Sequence, residues 1–293
     1  MTRPEPPAIA AHRDPDLFRQ AVAYTARTTG FAARLIEKDY FCTVLLAYLA
    51  RTDAGLIFKG GTALAKVHAG FYRLSEDLDF TIPMPIDASR RQRSHAASPL
   101  KDAMGKLEAS LPEFTLHEPL RGSNNSAQYN ALVRYDSLAT GQVETLRVEV
   151  GLREPLLIPP TDAPARTMLR NPITDKPLAP DLTLPCIDLK EALAEKLRAA
   201  LTRREVAIRD FYDLHHAAQH LGLTANAPEL LDLLRRKLAI PGNPPIDLAP
   251  NRIDQLRRQR DARLRPVLRP KDFDAFDLDH TVRIAERIAE KLR

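Results

Sequence analysis

The feature that most constrains the fold is a pair of aspartates, one residue apart, in an otherwise apolar segment. The segment SEDLDFTIP contains Asp77 and Asp79 and ends at Pro83. Its apolar residues and its closing proline predict a β-strand. Side chains alternate between the two faces of a strand, so the aspartates share one face, and Leu78 and Phe80 share the other. The fold must therefore accommodate two negative charges side by side.

Two such carboxylates are stable together when a cation lies between them or when one of them is protonated. Mg²⁺ suits this position because it prefers oxygen ligands and is usually held by one or two carboxylates together with substrate phosphates. Mn²⁺ is an alternative metal. A third ligand is expected on a neighbouring strand, and Glu149 fits, in RVEVGLR. The competing interpretations are a solvated edge strand for the aspartates and a plain polar sheet face for Arg147 and Glu149.

A glycine-rich turn lies upstream of the aspartates. A short apolar run precedes Gly60, Gly61 and Thr62, and good helix formers follow them, which predicts a strand-to-helix turn. Glycine lets the backbone approach a ligand, and the N–H groups at a helix start bind phosphate. Thr62 is predicted to cap the helix and to donate to a phosphate oxygen. No P-loop or dinucleotide fingerprint occurs, and a plain tight turn is the alternative.

Composition places the chain among ordinary globular proteins. It has 293 residues, 44% hydrophobic and 28% charged, with a net charge of +5. No apolar run is long enough to span a membrane, and the N-terminus has no apolar core of a secretory signal. Cys42 and Cys186 are too few for a disulfide framework and are predicted to be buried thiols. We therefore expect a cytoplasmic protein that has no membrane partner.

The predicted architecture is an α/β (α+β) N-terminal half with a small mixed sheet and a mainly helical C-terminal half. Two further strands are predicted at 126–137 and 143–153, the second with alternating apolar residues. Prolines crowd the segment that follows, which is typical of a connector. The expected parts are an α/β domain at 1–154, a connector at 155–185 and a helical domain at 186–293, with helices at 188–204, 206–221, 227–239, 251–263 and 275–293.

Four motifs, taken in order, resemble the AbiEii-type nucleotidyltransferase toxins of bacterial toxin–antitoxin systems, which include the MenT toxins. They are KGGTALAK (59–66), RLSEDLDF (73–80), RVEVGLRE (147–154) and EALAEKLRAALTRREVAIRDFYDLHH (191–216). The resemblance implies a polymerase-β-like nucleotidyltransferase fold followed by a helical domain that completes the active site. It also implies transfer of a nucleotide from an NTP with Mg²⁺, in the MenT group to the 3′ end of tRNA, which blocks translation, and control by a cognate antitoxin.

The resemblance also implies roles for individual residues. Asp77 and Asp79 match the metal-binding aspartates, Lys196 matches a catalytic lysine, and Asp210 matches a later catalytic aspartate. Lys190 and Asp213 are the alternatives for those last two roles. The implied phosphate-binding set consists of Lys59, Gly60, Gly61, Thr62 and Ser75. Ser75 also matches a serine that the antitoxin phosphorylates in some relatives.

A basic stretch near the C-terminus could bind RNA. Residues 250–271 carry eight Lys or Arg against two Asp, and Arg257, Arg258 and Arg260 are the candidate contacts. A solvated helix with internal ion pairs is the alternative. Two other functions compete with a tRNA-modifying toxin: a nucleotidyltransferase acting on a protein or small molecule, and a non-catalytic module that binds nucleotide or antitoxin.

Overall fold

The computed structural model describes residues 9–292, and the chain divides between Ile187 and Asp188 into two compact units. We call them the sheet unit and the helical unit. In the sheet unit the described helices are α1 (Pro15–Thr29), α2 (Ala33–Leu49), α3 (Gly60–Ala63), α4 (Arg90–Ala96), α5 (Ser98–Gly105) and α6 (Leu107–Ser110). Its strands are β1 (Ile57–Lys59), β2 (Asp77–Thr81), β3 (Thr115–Ser123), β4 (Gln128–Asp136), β5 (Val143–Gly151), β6 (Thr161–Ala165) and β7 (Leu182–Cys186).

These strands form one mixed sheet in the order β3-β4-β5-β2-β1-β7-β6. β2 runs antiparallel to β1 and parallel to β5, whereas β1 runs parallel to β7. The remaining neighbours, β3 with β4, β4 with β5 and β6 with β7, are antiparallel. The mixed α/β class predicted from the sequence is confirmed, and β2 lies at the centre of the sheet.

The hydrophobic core covers one face of the sheet. Phe18 of α1 and Leu45 of α2 belong to the same buried cluster as Leu78 of β2 and Val148 of β5. The alternation of apolar and polar residues in β5 is therefore a true inside–outside pattern, with the apolar side chains toward the helices. The opposite face of β2 and β5 carries the polar residues.

The segment predicted as a proline-rich connector instead contributes two strands. β6 and β7 lie within 155–185 or end one residue beyond it, and β7 pairs with β1. Proline is compatible with an edge strand, where one row of backbone groups has no ladder partner. Pro164 lies in the edge strand β6, and β7 ends next to the unit boundary.

Helix α2 is buried along most of its length, so its charged residues are satisfied internally. Asp39 accepts from Lys66 Nζ, 2.6 Å from its Oδ1, and both side chains are almost completely buried. Glu37 accepts from Ser137 Oγ and from the backbone N–H of Leu138, at the β4–β5 turn. Burial raises the pKa of Glu37 despite these donors. These contacts hold α2 against the helical turn that follows α3 and against the β4–β5 turn.

The helical unit consists of α7 (Leu189–Thr202), α8 (Ile208–His220), α9 (Pro228–Leu238), α10 (Pro250–Gln259), α11 (Pro270–Asp274) and α12 (Leu278–Leu292). A π-helical turn at Arg260–Leu264 and a 3₁₀ turn at Arg265–Val267 follow α10. The five predicted C-terminal helices are confirmed to within a few residues. Their apolar faces meet in a core that includes Leu197, Leu201, Phe211, Leu214 and Ile288.

The two cysteines are buried free thiols, as predicted. Burial raises the pKa of Cys42 and that of Cys186 to about 12, so neither is a ready nucleophile. None of the helices formed by residues 9–292 combines the length and apolar character needed to cross a lipid bilayer.

Candidate active site

The two aspartates lie on the central strand of the sheet unit. Asp77 begins β2, and the side chains of Asp77 and Asp79 are half-buried on one face, whereas Leu78 and Phe80 are buried on the other. β2 has hydrogen-bonded neighbours on both sides, β1 and β5. The alternative in which the aspartates face water from an edge strand is therefore wrong.

Gly60 provides the space in which the carboxylate of Asp79 lies. A Cβ atom on Gly60 would come within 2.0 Å of Asp79 Oδ2 and 2.6 Å of its Cγ. Gly60 also has φ of +77°, a conformation that favours glycine. The glycine of the turn and the aspartate of the strand are thus parts of one arrangement, although they are nineteen residues apart in the chain.

Gly61 provides similar space for an arginine that the sequence analysis did not single out. A Cβ atom on Gly61 would lie 2.4 Å from Arg73 Nη2 and 3.2 Å from Ser75 Oγ. Arg73 is 2% exposed, and its Nη1 donates to the carbonyl of Leu74. A buried guanidinium therefore lies against the glycine turn. In the sequence, the only indication that Arg73 belongs to this site is its position as the first residue of the RLSEDLDF motif.

Thr62 supports the aspartate strand and does not cap the helix. The N-terminal cap of α3 is Lys59, and no side chain caps it. Thr62 is buried, and its hydroxyl donates to the backbone carbonyl of Asp77. The prediction of Thr62 as the cap is wrong, because the helix begins two residues earlier. By donating to this carbonyl, the hydroxyl holds the start of β2, and phosphate binding by Thr62 stays a prediction.

Lys59 and Ser75 complete the surroundings of the glycine turn. Lys59 ends β1, is half-buried and is paired in register with Asp79. The Ser75 hydroxyl lies against Gly61. The structure thus brings together Lys59, Gly60 and Asp79 on one side of the turn, and Gly61, Arg73 and Ser75 on the other. We call these residues, with Asp77, the aspartate site.

Glu149 lies beside Asp79 because the two residues are paired in the register of β2 and β5. Its carboxylate lies 3.4 Å from Arg147 Nη1, and its side chain is 33% exposed. Among residues 9–292, no group of three or more His, Cys, Asp or Glu side chains is arranged to hold a metal ion. Glu149 as a third ligand stays a prediction.

The donor chemistry of Asp77 and Asp79 nevertheless fits Mg²⁺. Two carboxylates on one strand face supply hard oxygen ligands, and Mg²⁺ commonly takes its other ligands from water and substrate phosphates. The space that Gly60 leaves for Asp79 keeps one of these carboxylates at a defined place on the backbone.

An ion-pair network that the sequence did not reveal anchors the residue before Asp77. Glu76 Oε1 lies 3.0 Å from Lys38 Nζ and 3.2 Å from Arg34 Nη1. Both cations also contact Glu144 of β5. Arg34 and Lys38 of α2 therefore link Glu76, the residue before β2, to Glu144 of β5.

In the helical unit, Lys196 lies in a cluster with both candidate aspartates. Its Nζ is 2.8 Å from Asp213 Oδ2 and 3.4 Å from Asp210 Oδ1. Arg203 Nη1 lies 3.0 Å from Asp210 Oδ2. The side chains of Asp210 and Asp213 are 6% and 0% exposed, whereas that of Arg203 is 52% exposed. We call Lys196, Arg203, Asp210 and Asp213 the lysine cluster.

Lys190, the alternative to Lys196, has a different environment. It forms an ion pair with Glu229 on the surface, where both side chains are more than half exposed. An exposed pair of this kind contributes little to stability. The surroundings of Lys196 are thus those of a functional candidate, whereas those of Lys190 are those of an ordinary surface residue.

The candidate RNA-binding arginines do not form a row of unengaged charges. Arg257 is paired with Asp254 and Asp279, at 2.9 Å from each. Arg260 lies over the ring of Phe273 and donates to its carbonyl. Arg258 is exposed. The structure therefore supports internal pairing for part of this stretch, and RNA contact by these residues stays a prediction.

Two cavities of the sheet unit lie away from the aspartate site. One, of about 540 Å³, is lined by residues of α2, α5 and the segment around Ile9. The other, of about 470 Å³, lies around His12, Phe41 and Tyr135. Neither is lined by a residue of the aspartate site, which is formed by the end of β1, the start of α3, β2 and the segment before β2.

Comparison with known proteins gives one family and two similar structures. A family model described as nucleotidyl transferase AbiEii toxin, type IV TA system, matches residues 44–289. JHP933 from Helicobacter pylori is 19% identical over 88% of this chain and 89% of its own, with a TM-score of 0.45. A candidate nucleotidyltransferase from H. pylori is 20% identical over 88% of this chain and 92% of its own, also with a TM-score of 0.45. No curated protein matches the chain. Because the family match spans most of the sequence, the chain belongs to the AbiEii nucleotidyl transferase toxin family of type IV toxin–antitoxin systems.

Proposed function

We propose that this toxin transfers a nucleotide from an NTP to the 3′ end of tRNA in a Mg²⁺-dependent reaction and thereby blocks translation. Membership of the family implies a cognate antitoxin as partner. The proposal rests on one observation: the Asp79 carboxylate packs against Gly60, and Asp77 lies on the same face of a central strand. Such a carboxylate pair is what metal-assisted nucleotidyl transfer needs.

Within the aspartate site, Asp77 and Asp79 would hold Mg²⁺, with Glu149 as candidate third ligand. The bound metal would neutralise charge that develops on the phosphates during transfer. Gly60 and Gly61 carry no side chains of their own at the start of α3, and the Asp79 carboxylate and the Arg73 guanidinium lie directly against them. Lys59 adds a positive charge beside them. These groups suit the binding of a triphosphate.

We propose that the lysine cluster serves the same reaction. Lys196 would neutralise phosphate charge, and Asp210 would orient the acceptor hydroxyl and take its proton. The hydroxyl oxygen attacks the α-phosphate in line, the new P–O bond forms, and pyrophosphate leaves. Positioning and charge neutralisation supply most of the rate enhancement in reactions of this type. In the present structure Lys196 is held by carboxylates, so a triphosphate would have to replace one of these contacts.

The test is nucleotide transfer by the purified protein. It is incubated with total bacterial RNA, Mg²⁺ and each of the four α-labelled NTPs, in parallel with Asp77→Asn. Asp87→Asn is the matched control, because Asp87 is exposed in the loop after β2. We expect label on a tRNA-sized band with the wild type and the control, and no label with Asp77→Asn. Addition of EDTA should abolish the transfer.

Other outcomes distinguish the competing functions. If the label appears on protein or on a small molecule and is lost in Asp77→Asn, the protein is still a nucleotidyltransferase, but its acceptor is not tRNA. Tight NTP binding without transfer to any acceptor would favour a binding module. Full transfer and full toxicity of Asp77→Asn would refute the proposed role of the aspartate pair.

A further inference from the structure

The polar face of the sheet continues beyond the aspartates across three more strands. Asp79 is paired in register with Glu149 of β5, Glu149 with Asn130 of β4, and Asn130 with Arg121 of β3. Residues paired in this way project from the same face of a sheet. Asp79, Glu149, Asn130 and Arg121 therefore form one row that starts at the candidate metal ligand and ends at the edge strand.

Parallel rows flank this one. Asp77, Arg147 and Leu132 are in register on one side, and Gly151, Gln128 and Ser123 on the other. The side chains of this surface are half-buried or exposed, whereas the residues between them, such as Val148 and Ala131, are buried in the core. We call the surface formed by Arg121, Ser123, Gln128, Asn130, Leu132, Arg147 and Glu149 the open face.

The groups on the open face match the chemistry of a nucleotide chain. Gln128 and Asn130 present amide groups, and the Gln128 amide donates to Asn130 Oδ1 at 3.4 Å. Amide side chains read base edges through paired hydrogen bonds. Arg121 is exposed and makes no ion pair within the described part of the chain, so its guanidinium is available to a phosphate. Leu132 supplies an apolar patch for a base or a ribose.

The order of the strands indicates which substrate this face would take. The glycine turn follows β1, on one side of β2, whereas β5, β4 and β3 lie on the other side. In phosphoryl transfer the attacking and leaving oxygens lie roughly in line on opposite sides of the phosphorus. If the leaving phosphates occupy the glycine turn, the attacking hydroxyl approaches from the β5 side. The open face is the part of the sheet that continues in that direction.

We propose that the 3′-terminal nucleotides of a single-stranded RNA acceptor lie along the open face, from Glu149 toward Arg121. This inference rests on the proposed function and adds the path of the acceptor to it. Neighbouring strands are about 4.8 Å apart, so Arg121 lies roughly 14 Å from Asp79 across three strand spacings. That distance suits a phosphate near the end of the RNA rather than the reacting nucleotide. Asn130, halfway along the row, contacts the base or ribose of the last nucleotides.

The test uses Arg121→Gln and Asn130→Ala, with Arg27→Gln as control. Arg27 is an exposed arginine on α1, and α1 packs against the opposite face of the sheet. We expect Arg121→Gln to raise the KM for RNA about 3–10-fold and to lower the salt dependence of RNA binding by about one phosphate contact. Asn130→Ala should lower kcat/KM for RNA about tenfold. The KM for NTP should stay unchanged in both variants, and Arg27→Gln should resemble the wild type.

A second measurement works without turnover. A single-stranded RNA oligonucleotide with a photoreactive 3′-terminal base is crosslinked to the wild type, and the attachment site is mapped by mass spectrometry. Crosslinks within 121–134 support the proposal, and crosslinks confined to other segments overturn it. Active enzyme with unchanged RNA kinetics in both variants would overturn the acceptor path while the proposed function stands. Nucleotide transfer to protein, with no RNA crosslink, would also overturn the proposed acceptor path. Absence of nucleotide transfer by the wild-type protein would instead count against the proposed function.

Discussion

The carboxylate of Asp79 lies directly against the backbone of Gly60, in space that a single Cβ atom would fill. This contact joins the glycine turn to the aspartate strand and makes the two motifs one site. Thr62 adds a second link through its hydrogen bond to Asp77, and the Arg73 guanidinium against Gly61 adds a third. The glycines are thus explained by the protein's own packing, and any phosphate bound here would use a turn whose shape is already determined.

Gly60→Ala should abolish nucleotide transfer. The new Cβ would lie 2.0 Å from Asp79 Oδ2 and must displace the carboxylate. The backbone at φ +77° adds about 1–2 kcal/mol of strain. Gly55→Ala is the matched control, because Gly55 has φ of +63° but a Cβ added there would meet no atom within 4 Å. Gly60→Ala should lose more stability than Gly55→Ala in urea unfolding, because Asp79 Cβ, 2.6 Å from the new atom, is attached to the strand backbone, and only Gly60→Ala should lose activity. Normal activity of Gly60→Ala would contradict the arrangement.

Thr62→Val should destabilise the sheet unit and weaken catalysis. The substitution keeps the shape of the side chain but removes the hydrogen bond to the buried carbonyl of Asp77. We expect a loss of about 1–2 kcal/mol in the free energy of unfolding and a several-fold fall in kcat. Thr62→Ser retains the hydroxyl and should keep most of the stability and most of the kcat of the wild type. Equal behaviour of the two variants would argue against a role for this hydrogen bond.

Lys196→Met should lose activity and stability together, because it removes the cation that lies 2.8 Å from the carboxylate of Asp213, whose side chain is 0% exposed. Breaking a buried pair in this way typically costs about 3–5 kcal/mol. The double variant Lys196→Met/Asp213→Asn should regain much of the stability but no activity. Lys190→Met is the control and should unfold at the wild-type temperature with wild-type activity. An inactive Lys190→Met beside an active Lys196→Met would reverse the assignment.

His216 should make the protein less stable as the pH falls below 6.5. Burial and the nearby ring of His220 lower the pKa of His216 to about 4. Between these values the unfolded chain binds a proton that the folded protein excludes, so stability is full above pH 6.5 and declines toward pH 4. After allowance for partial solvent screening, we expect His216 to account for about 1 kcal/mol of loss between pH 7 and pH 5. Urea unfolding of His216→Gln should show a correspondingly smaller loss, and an equal loss would contradict the shift.

The sequence was a good guide to elements with strong local patterns. The alternation in β5, the apolar spacing in the C-terminal helices and the shared face of Asp77 and Asp79 follow from backbone geometry alone. The edge strands β3 and β6 and the strand β7 were missed. β3 is exposed along most of its length and has irregular pairing, and β6 contains Pro164. Strands at an edge are specified mainly by the neighbour with which they pair, which a local pattern does not reveal.

Local patterns in the chain were enough to identify the residues of interest: the aspartate pair, the glycines, and a lysine with two later aspartates. The contacts that each of these residues makes could be read only from the folded protein. The carboxylate of Asp79 needs the space beside Gly60, and the Thr62 hydroxyl donates to the carbonyl of Asp77. Lys196 lies among buried carboxylates, whereas Lys190 lies on the surface. The physical reason is that alternation and helical period act over a few residues. The space beside a glycine, the partner of a hydroxyl and the burial of a charge depend on segments brought together from distant parts of the chain.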